Sequence, residues 1–228
     1  MKRKLAIVTL LAVITTSIPI VANASTSIYG KWTFKAGKYY YIQSNNVNLT
    51  GWIKQGNNWY YLDDSTGEMI TGWKQKDGHY YYLDNVTGKM KTGWICDGGK
   101  WYYFGGNGAM TTGWQYINGT WYFLNDSSST GKALGVMLTG WIREKSGSYY
   151  FMDANGSMHI GWIYTGSDWY YLDGNGSMHK GWLDIDGKRY CLNDATGKLN
   201  MKSFKRVDAT KNPPVIKWYV PDSNGAIS

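Results

Sequence analysis

The apolar residues of this chain recur in short aromatic clusters that are separated by polar segments containing glycine. A Gly-Trp pair starts most clusters, and successive pairs are 21, 21, 20, 27, 21 and 20 residues apart. The tryptophans of these pairs are Trp52, Trp73, Trp94, Trp114, Trp141, Trp162 and Trp182. Seven or eight residues after most of them follows an aromatic triplet such as Trp59-Tyr60-Tyr61. A period of this length is typical of stacked structural repeats.

Each period predicts a β-hairpin. A short strand around Gly51-Trp52-Ile53 is followed by a polar turn and by a second strand of strand-favouring residues, Trp59 to Leu62. Glycine recurs too often for a helix, and no apolar period of 3.6 residues is present. Because a lone two-stranded hairpin is marginal in water, the hairpins are expected to stack. The predicted fold is therefore all-β, a solenoid of about nine stacked hairpins.

The two ends of the array contain degenerate copies of the unit. Trp32 precedes Tyr39-Tyr40-Tyr41 with the usual spacing, and Phe204 replaces Trp near the other end, where Trp218-Tyr219 follows. Atypical end units are expected in repeat arrays because they close the stack against water. Residues 25–228 are thus predicted to form one array. Asn125 to Gly135 contains about six extra residues, which predicts a loop on one face.

The first 24 residues predict a secretory signal peptide. A basic start is followed by an apolar stretch and by Ala22-Asn23-Ala24, a pattern of small residues typical of a cleavage site. The segment contains three of the 24 basic residues and none of the 16 acidic ones, so its removal leaves a net charge of +5. This mild, diffuse charge argues against nucleic acid as a partner. No later apolar run is long enough for a membrane span, so we expect a secreted or cell-wall-associated protein.

The sequence contains no recognisable catalytic or metal-binding motif. His159 and His179 both follow methionine at one repeat position, and Asp63, Asp84, Asp153 and Asp173 share another, so both sets are interpreted as structural. Cys96 and Cys191 are far apart in the array and are expected to be free thiols. The signal peptide and repeats account for the whole sequence, so neither an enzyme activity nor a cofactor is expected.

The chain has 13 Trp and 20 Tyr but only five Phe, which favours surfaces that are apolar in the middle and wet at the edge. Side chains alternate across a strand, so Trp52 and Trp59 are predicted to share a face, and Tyr81 of the next hairpin to face them. Three rings, with methionine as a fourth wall, would attract a bulky, weakly hydrated cation. The alternative that these rings are only core stays open, and sugars also stack on such rings.

Units such as Thr71-Gly72-Trp73, Tyr80-Tyr81-Tyr82-Leu83 and Gly88-Lys89-Met90 resemble the choline-binding, or cell-wall-binding, repeats of Gram-positive surface proteins and phage lysins. The resemblance implies a left-handed superhelix with choline of teichoic acid held between hairpins. The ligand-binding residues it implies are Trp52, Trp59, Trp73, Tyr80, Trp94, Trp101, Trp114, Trp121, Trp141, Tyr149, Trp162 and Trp169. Third walls are expected from Tyr81, Tyr102, Tyr122, Tyr150 and Tyr170, and further contacts from Met90, Met110 and Met158. Arg189 would repel a cation, so no site is expected at Trp182.

Two functional hypotheses follow. The first is a binding module that attaches to choline-bearing teichoic acid of the cell wall through many aromatic cages. The second is a glycan-binding adhesin or toxin-like receptor module, because related repeats of glucosyltransferases and toxins bind glucan or surface glycans. A spacer without ligand is a third, and the sequence leaves the oligomeric state open.

Overall fold

The computed structural model describes residues 30–126, 131–208 and 215–227. The described residues form strands and turns, and none of them belongs to a helix that could cross a membrane. The predicted signal peptide, residues 1–24, lies outside the described residues. Eighteen strands pair as nine consecutive antiparallel hairpins, numbered here 1 to 9, and β19 adds a third strand beside β16.

The strands of hairpins 1 to 5 are β1 Gly30–Lys35, β2 Lys38–Gln43, β3 Gly51–Gln55, β4 Asn58–Leu62, β5 Gly72–Lys76, β6 His79–Leu83, β7 Gly93–Asp97, β8 Lys100–Phe104, β9 Gly113–Ile117 and β10 Thr120–Leu124. Those of hairpins 6 to 9 are β11 Gly140–Arg143, β12 Tyr149–Met152, β13 Gly161–Tyr164, β14 Trp169–Leu172, β15 Gly181–Ile185, β16 Lys188–Leu192, β17 Phe204–Asp208 and β18 Val215–Tyr219, followed by β19 Ala226–Ile227. The predicted count of about nine hairpins is confirmed.

The hairpin turns follow from residues that tolerate left-handed backbone. In hairpin 3, Asp77 and Gly78 have φ of 50° and 78°, and they join the paired residues Lys76 and His79. Positive φ at both central residues defines the type I′ turn, whose twist matches that of the flanking strands. The short Asp-Gly sequence therefore fixes the register of the whole hairpin.

The register determines which rings share a face. Trp52 pairs directly with Tyr61, and Trp59 pairs with Lys54, so all four side chains lie on one face of hairpin 2. Trp52 and Trp59 are diagonal neighbours, as the alternation of the sequence predicted, although Tyr61 is the directly opposite residue. Tyr60 points to the other face.

The connecting turns are closed by the aspartates that follow the second strands. Oδ1 of Asp63 accepts hydrogen bonds from the backbone N–H groups of Ser65 (3.0 Å) and Thr66 (2.9 Å). Asp84 accepts equivalent bonds in the next turn. For Asp63 the hydrogen bond from the Ser65 hydroxyl (2.6 Å), and then the backbone bonds, hold the pKa of the carboxyl group well below its usual range. For Asp84 the backbone bond from Thr87 is the main cause of the same lowering of its pKa. The prediction that these aspartates belong to turns is confirmed.

The histidines are also tied to these turns. His159 Nδ1 lies 3.0 Å from Oδ1 of Asp153, and its Nε2 lies 3.1 Å from the carbonyl oxygen of Trp162. His179 repeats both contacts one hairpin later. As predicted, the two rings are copies of one structural position.

In each unit the core includes the last residue of the second strand of most hairpins. These side chains are almost completely buried, and they are Leu62, Leu83, Phe104, Leu124, Met152, Leu172 and Leu192. Since hairpins 2 to 8 contribute one each, the burial of these side chains depends on neighbouring hairpins, which is the reason that the hairpins stack.

The described chain forms two compact units, one of residues 30–92 with 106–109 and one of residues 93–105 with 110–227. In the first, the backbone N–H of Met90 donates to the carbonyl of Trp59 (2.8 Å), which joins the turn after hairpin 3 to hairpin 2. In the second, Met158 N–H reaches the carbonyl of Trp121 (2.9 Å) in the same way. These bonds between hairpins confirm the all-β hairpin solenoid. Cys96 and Cys191 are free thiols, as predicted.

Candidate functional site

In the first unit, hairpins 2 and 3 bring three rings together. Trp52 lies 6.4 Å from Trp59 and 4.8 Å from Tyr81, measured between ring centroids, and both contacts are edge-to-face. Trp52 and Trp59 come from one face of hairpin 2, and Tyr81 comes from the facing side of hairpin 3. We call such a set of two rings from one hairpin and one from the next a cage. The three residues that the sequence assigned to this cage are thus together.

The second unit contains three further cages with the same geometry. In each, the Gly-Trp tryptophan lies 6.2 to 6.5 Å from the second ring of its hairpin and 4.8 to 4.9 Å from a tyrosine of the next hairpin. The sets are Trp94 with Trp101 and Tyr122, Trp114 with Trp121 and Tyr150, and Trp162 with Trp169 and Tyr190. The repeated distances follow from the repeated register of the hairpins.

Two other predicted sites show part of this arrangement. Trp141 lies 4.9 Å from Tyr170, while Tyr149 has the guanidinium of Arg143 over its ring at 5.6 Å. In the first unit Trp73 lies 6.4 Å from Tyr80. The tyrosine predicted as the third wall for this pair, Tyr102, belongs to the second unit.

The three methionines predicted as soft walls differ in the contacts that they make. Met90 packs with Trp52 against a buried cluster that includes Tyr81. The backbone of Met158 bonds to Trp121, which brings it to the cage of Trp114. Met110 occupies the corresponding repeat position and pairs with Phe104 at the end of hairpin 4.

Sequence reasoning missed two tyrosines of this kind. Tyr60 lies 4.9 Å from Trp32, which extends the pattern to the degenerate first unit, where Tyr39 occupies the second-ring position. Tyr190 lies 4.9 Å from Trp162 and completes that cage. Both could have been found by assigning the middle residue of every triplet to the cage of the preceding hairpin. Tyr190 was not predicted because its triplet begins with Arg189 instead of an aromatic residue.

The cage position at Trp182 is filled by the protein itself. Tyr219 supplies a ring 4.8 Å from Trp182, and the guanidinium carbons of Arg189 and Arg206 lie 5.8 and 5.5 Å from the centre of the Trp182 ring. Arg189 also forms a bidentate ion pair with Asp184. That Arg189 prevents a ligand site here stays a prediction.

The cage walls are neutral and electron-rich. Burial, and secondarily the charge of Asp77, raises the pKa of Tyr81, and burial together with Glu144 raises that of Tyr150. These phenols therefore keep their protons at physiological pH. The chain's own cations also use ring faces: Lys54 Nζ lies 5.8 Å from the Trp59 ring, and Lys74 Nζ lies 4.4 Å from the Tyr61 ring.

This arrangement suits cation binding better than catalysis. Ring faces carry the negative lobe of the quadrupole and attract cations that are weakly hydrated. Among the described residues, no group of three or more His, Cys, Asp or Glu side chains could hold a metal ion. The rings themselves supply the chemistry of an aromatic cage.

Comparison with known proteins agrees with this geometry. A family model described as choline-binding repeat matches residues 49–92 and 91–130, and one described as putative cell wall binding repeat matches residues 139–158 and 160–178. No curated protein sequence matches the chain.

Solved structures of pneumococcal proteins are similar to it. The crystal structure of choline binding protein F from Streptococcus pneumoniae, in the presence of a peptidoglycan analogue, has 37% identity and a TM-score of 0.64, and the match covers 84% of this chain. The chain spans 61% of that protein's length. The choline-binding domain of CbpL from the same organism has 27% identity and a TM-score of 0.56, with 79% of this chain and 87% of that domain covered. With this fold, these cages and both family matches, the chain belongs to the choline-binding, or cell-wall-binding, repeat family.

Proposed function

We propose that this protein is a secreted, non-catalytic module that attaches to choline-bearing teichoic acid of the cell wall through its aromatic cages. The observation that carries the proposal is the repetition of one three-ring geometry in four cages among the described residues. Residues 1–24 act as the signal peptide, and residues 25–228 form the binding array.

One cage provides a weak site. A cation–π contact contributes about 0.5–2 kcal/mol, so three contacts contribute roughly 2–5 kcal/mol. A dissociation constant of 1 mM corresponds to about 4 kcal/mol, which lies within this range. Free choline should therefore bind each cage in the millimolar range.

Repetition converts weak sites into firm attachment. When several cages engage one polymer, later binding events are intramolecular, and avidity can exceed the single-site affinity by about 100-fold or more. A repeated cage is therefore best used on a target that displays many copies of its ligand. A choline-substituted polymer has this property.

The test is a choline titration of the full chain and of a Trp121→Ala variant. The variant loses one of three ring contacts in its cage, so the affinity of that cage should fall by roughly 2- to 30-fold, following a loss of about 0.5–2 kcal/mol. The choline bound at millimolar concentration, measured by equilibrium dialysis, should fall by a fraction of one molecule per chain for a twofold loss and by most of the occupancy of that one cage for a 30-fold loss. Trp218→Ala is the matched control, because Trp218 is 68% exposed and outside the cages.

Two results would contradict the proposal. One is a chain that neither binds choline nor melts at a higher temperature in its presence. The other is a Trp121→Ala variant that is folded and binds as many choline molecules as the Trp218→Ala variant. A response to dextran alone, abolished by Trp121→Ala, would favour the glycan-binding alternative instead.

A further inference from the structure

An open groove of about 700 Å³ adjoins hairpins 5 and 6 in the second unit. Its apolar lining includes Trp114, Phe123, Leu138, Trp141 and Ile142. Leu138 and Ile142 are buried, whereas the two indoles are only partly covered. The volume lies within the range of about 300–1,000 Å³ that is usual for small-molecule sites. Trp121 and Tyr150, the other rings of the Trp114 cage, do not line it, so the groove adjoins the cage and shares Trp114 with it.

The polar lining of the groove carries both charge signs. It consists of Asp126, Lys132, Arg143, Glu144 and Lys145, with the hydroxyl groups of Thr139 and Ser146. Three basic and two acidic side chains leave a net charge of only +1. A strongly anionic or cationic ligand would find groups of its own sign here, so the balance favours a neutral, hydroxyl-rich ligand.

Glu144 is held in a defined position. Its Oε1 accepts a hydrogen bond from Nε1–H of Trp114 (3.2 Å), and its Oε2 accepts one from the hydroxyl of Ser146 (3.0 Å). The Tyr150 hydroxyl also interacts with this carboxylate. A carboxylate has about four acceptor positions, so these partners leave capacity for a hydroxyl group of a ligand. A fixed planar acceptor beside an indole face is suited to orienting a ligand through paired hydrogen bonds.

The groove occurs where the repeat is interrupted. Trp114 and Trp141 are 27 residues apart instead of 20 or 21, and the extra residues contribute Asp126 and Lys132. Nδ2 of the buried Asn125 donates to the carbonyls of Lys132 (2.9 Å) and Ala133 (3.0 Å), which fixes the backbone of this segment. Residues 127–130 lie outside the described residues.

We propose that this groove binds a short, neutral saccharide chain of two or three units. The apolar faces of the sugar rings pack on the exposed indole surfaces of Trp114 and Trp141, and the sugar hydroxyls bond to the charged groups of the lining. The saccharide site shares Trp114 with one cage, but its other lining residues lie outside that cage. We also infer that the sugar and the choline belong to one polymer. This inference rests on the proposed function and on the position of Trp114, which borders both cage and groove.

The experiment titrates the full chain with isomaltotriose and with triacetylchitotriose, in buffer and in saturating choline. The readout is the nuclear magnetic resonance signal of the indole Nε1–H of Trp114, assigned with Trp114→Phe, because this group bonds to Glu144 in the groove. At least one trisaccharide should shift this signal with choline present. In the Lys132→Ala/Lys145→Ala variant the affinity should fall about tenfold, since two hydrogen-bond donors are lost.

The matched control is Lys180→Ala/Lys188→Ala, which removes the same charge from exposed positions of the second unit outside the groove. The proposal is overturned if neither trisaccharide shifts the signal, if both double variants lose affinity equally, or if saturating choline abolishes saccharide binding. Choline binding should be equal in both variants. Saccharide binding without choline binding would refute the proposed function and support the saccharide site in the groove. Choline binding without saccharide binding would support the proposed function and refute the saccharide site.

Discussion

At the scale of single residues, the cages differ in what lies on their rings. Trp182 has the guanidinium groups of Arg189 and Arg206 at cation–π distance, where the other cages would hold a ligand. Arg206 is kept there by its ion pair with Asp194 and by a contact of 3.6 Å with Sγ of Cys191. The chain thus provides its own cation at its last Gly-Trp position.

Removing these cations should create an additional choline site. In an Arg189→Trp/Arg206→Gln variant, the new indole restores the second ring of the repeat, and Tyr219 already supplies the third. Because three rings then surround an unoccupied space, one more choline should bind, with an affinity in the millimolar range of the other cages. Equilibrium dialysis measures this number.

The control for this prediction is Lys180→Gln/Lys188→Gln, which changes the net charge by the same amount away from Trp182. An unchanged number of bound choline molecules in the folded arginine variant would show that the space at Trp182 does not accept a ligand. Arg189 could be identified from the sequence because it stands at a repeat position. Arg206 could not, since it comes from a degenerate hairpin with no aligned repeat.

At the scale of the hairpin, the recurring glycine and methionine act as a pair between repeats. Gly156, in the turn after hairpin 6, has φ of 83°, and a β-carbon there would overlap the thioether of Met137 from the preceding repeat. A β-carbon at Gly88 would overlap the side chain of Met69 in the same way. Glycine is therefore needed both for the left-handed backbone and for close packing of the methionine. This double requirement explains why the glycine and the methionine recur together in successive repeats.

Gly156→Ala should lower the free energy of unfolding by about 1–3 kcal/mol, because strain of the left-handed backbone and overlap with Met137 act together. For a chain of this size that corresponds to a fall in melting temperature of roughly 2–4 °C per kcal/mol. Gly166→Ala is the matched control, with φ of 88° and no atom within 4 Å of a β-carbon. Circular dichroism melts compare the two, and equal destabilisation would rule out the packing contribution.

The hairpins themselves could be predicted from the sequence, because alternating side chains and Gly-containing turns are local signals. The pairing of Trp52, Trp59 and Tyr81 also followed, since it needs only alternation and stacking of adjacent repeats. The contact between Gly156 and Met137 did not follow, because nothing local tells which turn lies under a given side chain. The groove at Asp126 and Lys132 was predicted only as a loop, since its shape depends on how Asn125 closes the insertion.

At the scale of the whole molecule, tyrosines with raised pKa occur in both units. Burial raises the pKa of Tyr61 to about 12, aided by the hydrogen bond of 2.6 Å that its hydroxyl donates to Asp64. Tyr81 in the first unit, and Tyr102 and Tyr150 in the second, have raised pKa values mainly for the same reason. Folding therefore strengthens proton binding by phenols along the array.

This distribution predicts that the protein loses stability in alkali. A phenol whose pKa is higher in the folded state than the unfolded value of about 10 stabilises the folded state, and this stabilisation is complete below pH 10. It is lost as the pH rises toward the pKa in the folded state, which is about 12 for Tyr61. The melting temperature should thus be steady near neutrality and fall above pH 10. Tyr61→Phe should lower it at neutral pH, because the hydrogen bond to Asp64 is lost, yet make the alkaline decline shallower. Tyr116→Phe, at a side chain that is 62% exposed, should leave the slope unchanged. Since the slope measures the difference in bound protons between unfolded and folded chains, parallel curves for the wild type and Tyr61→Phe would mean that Tyr61 ionises equally in both states.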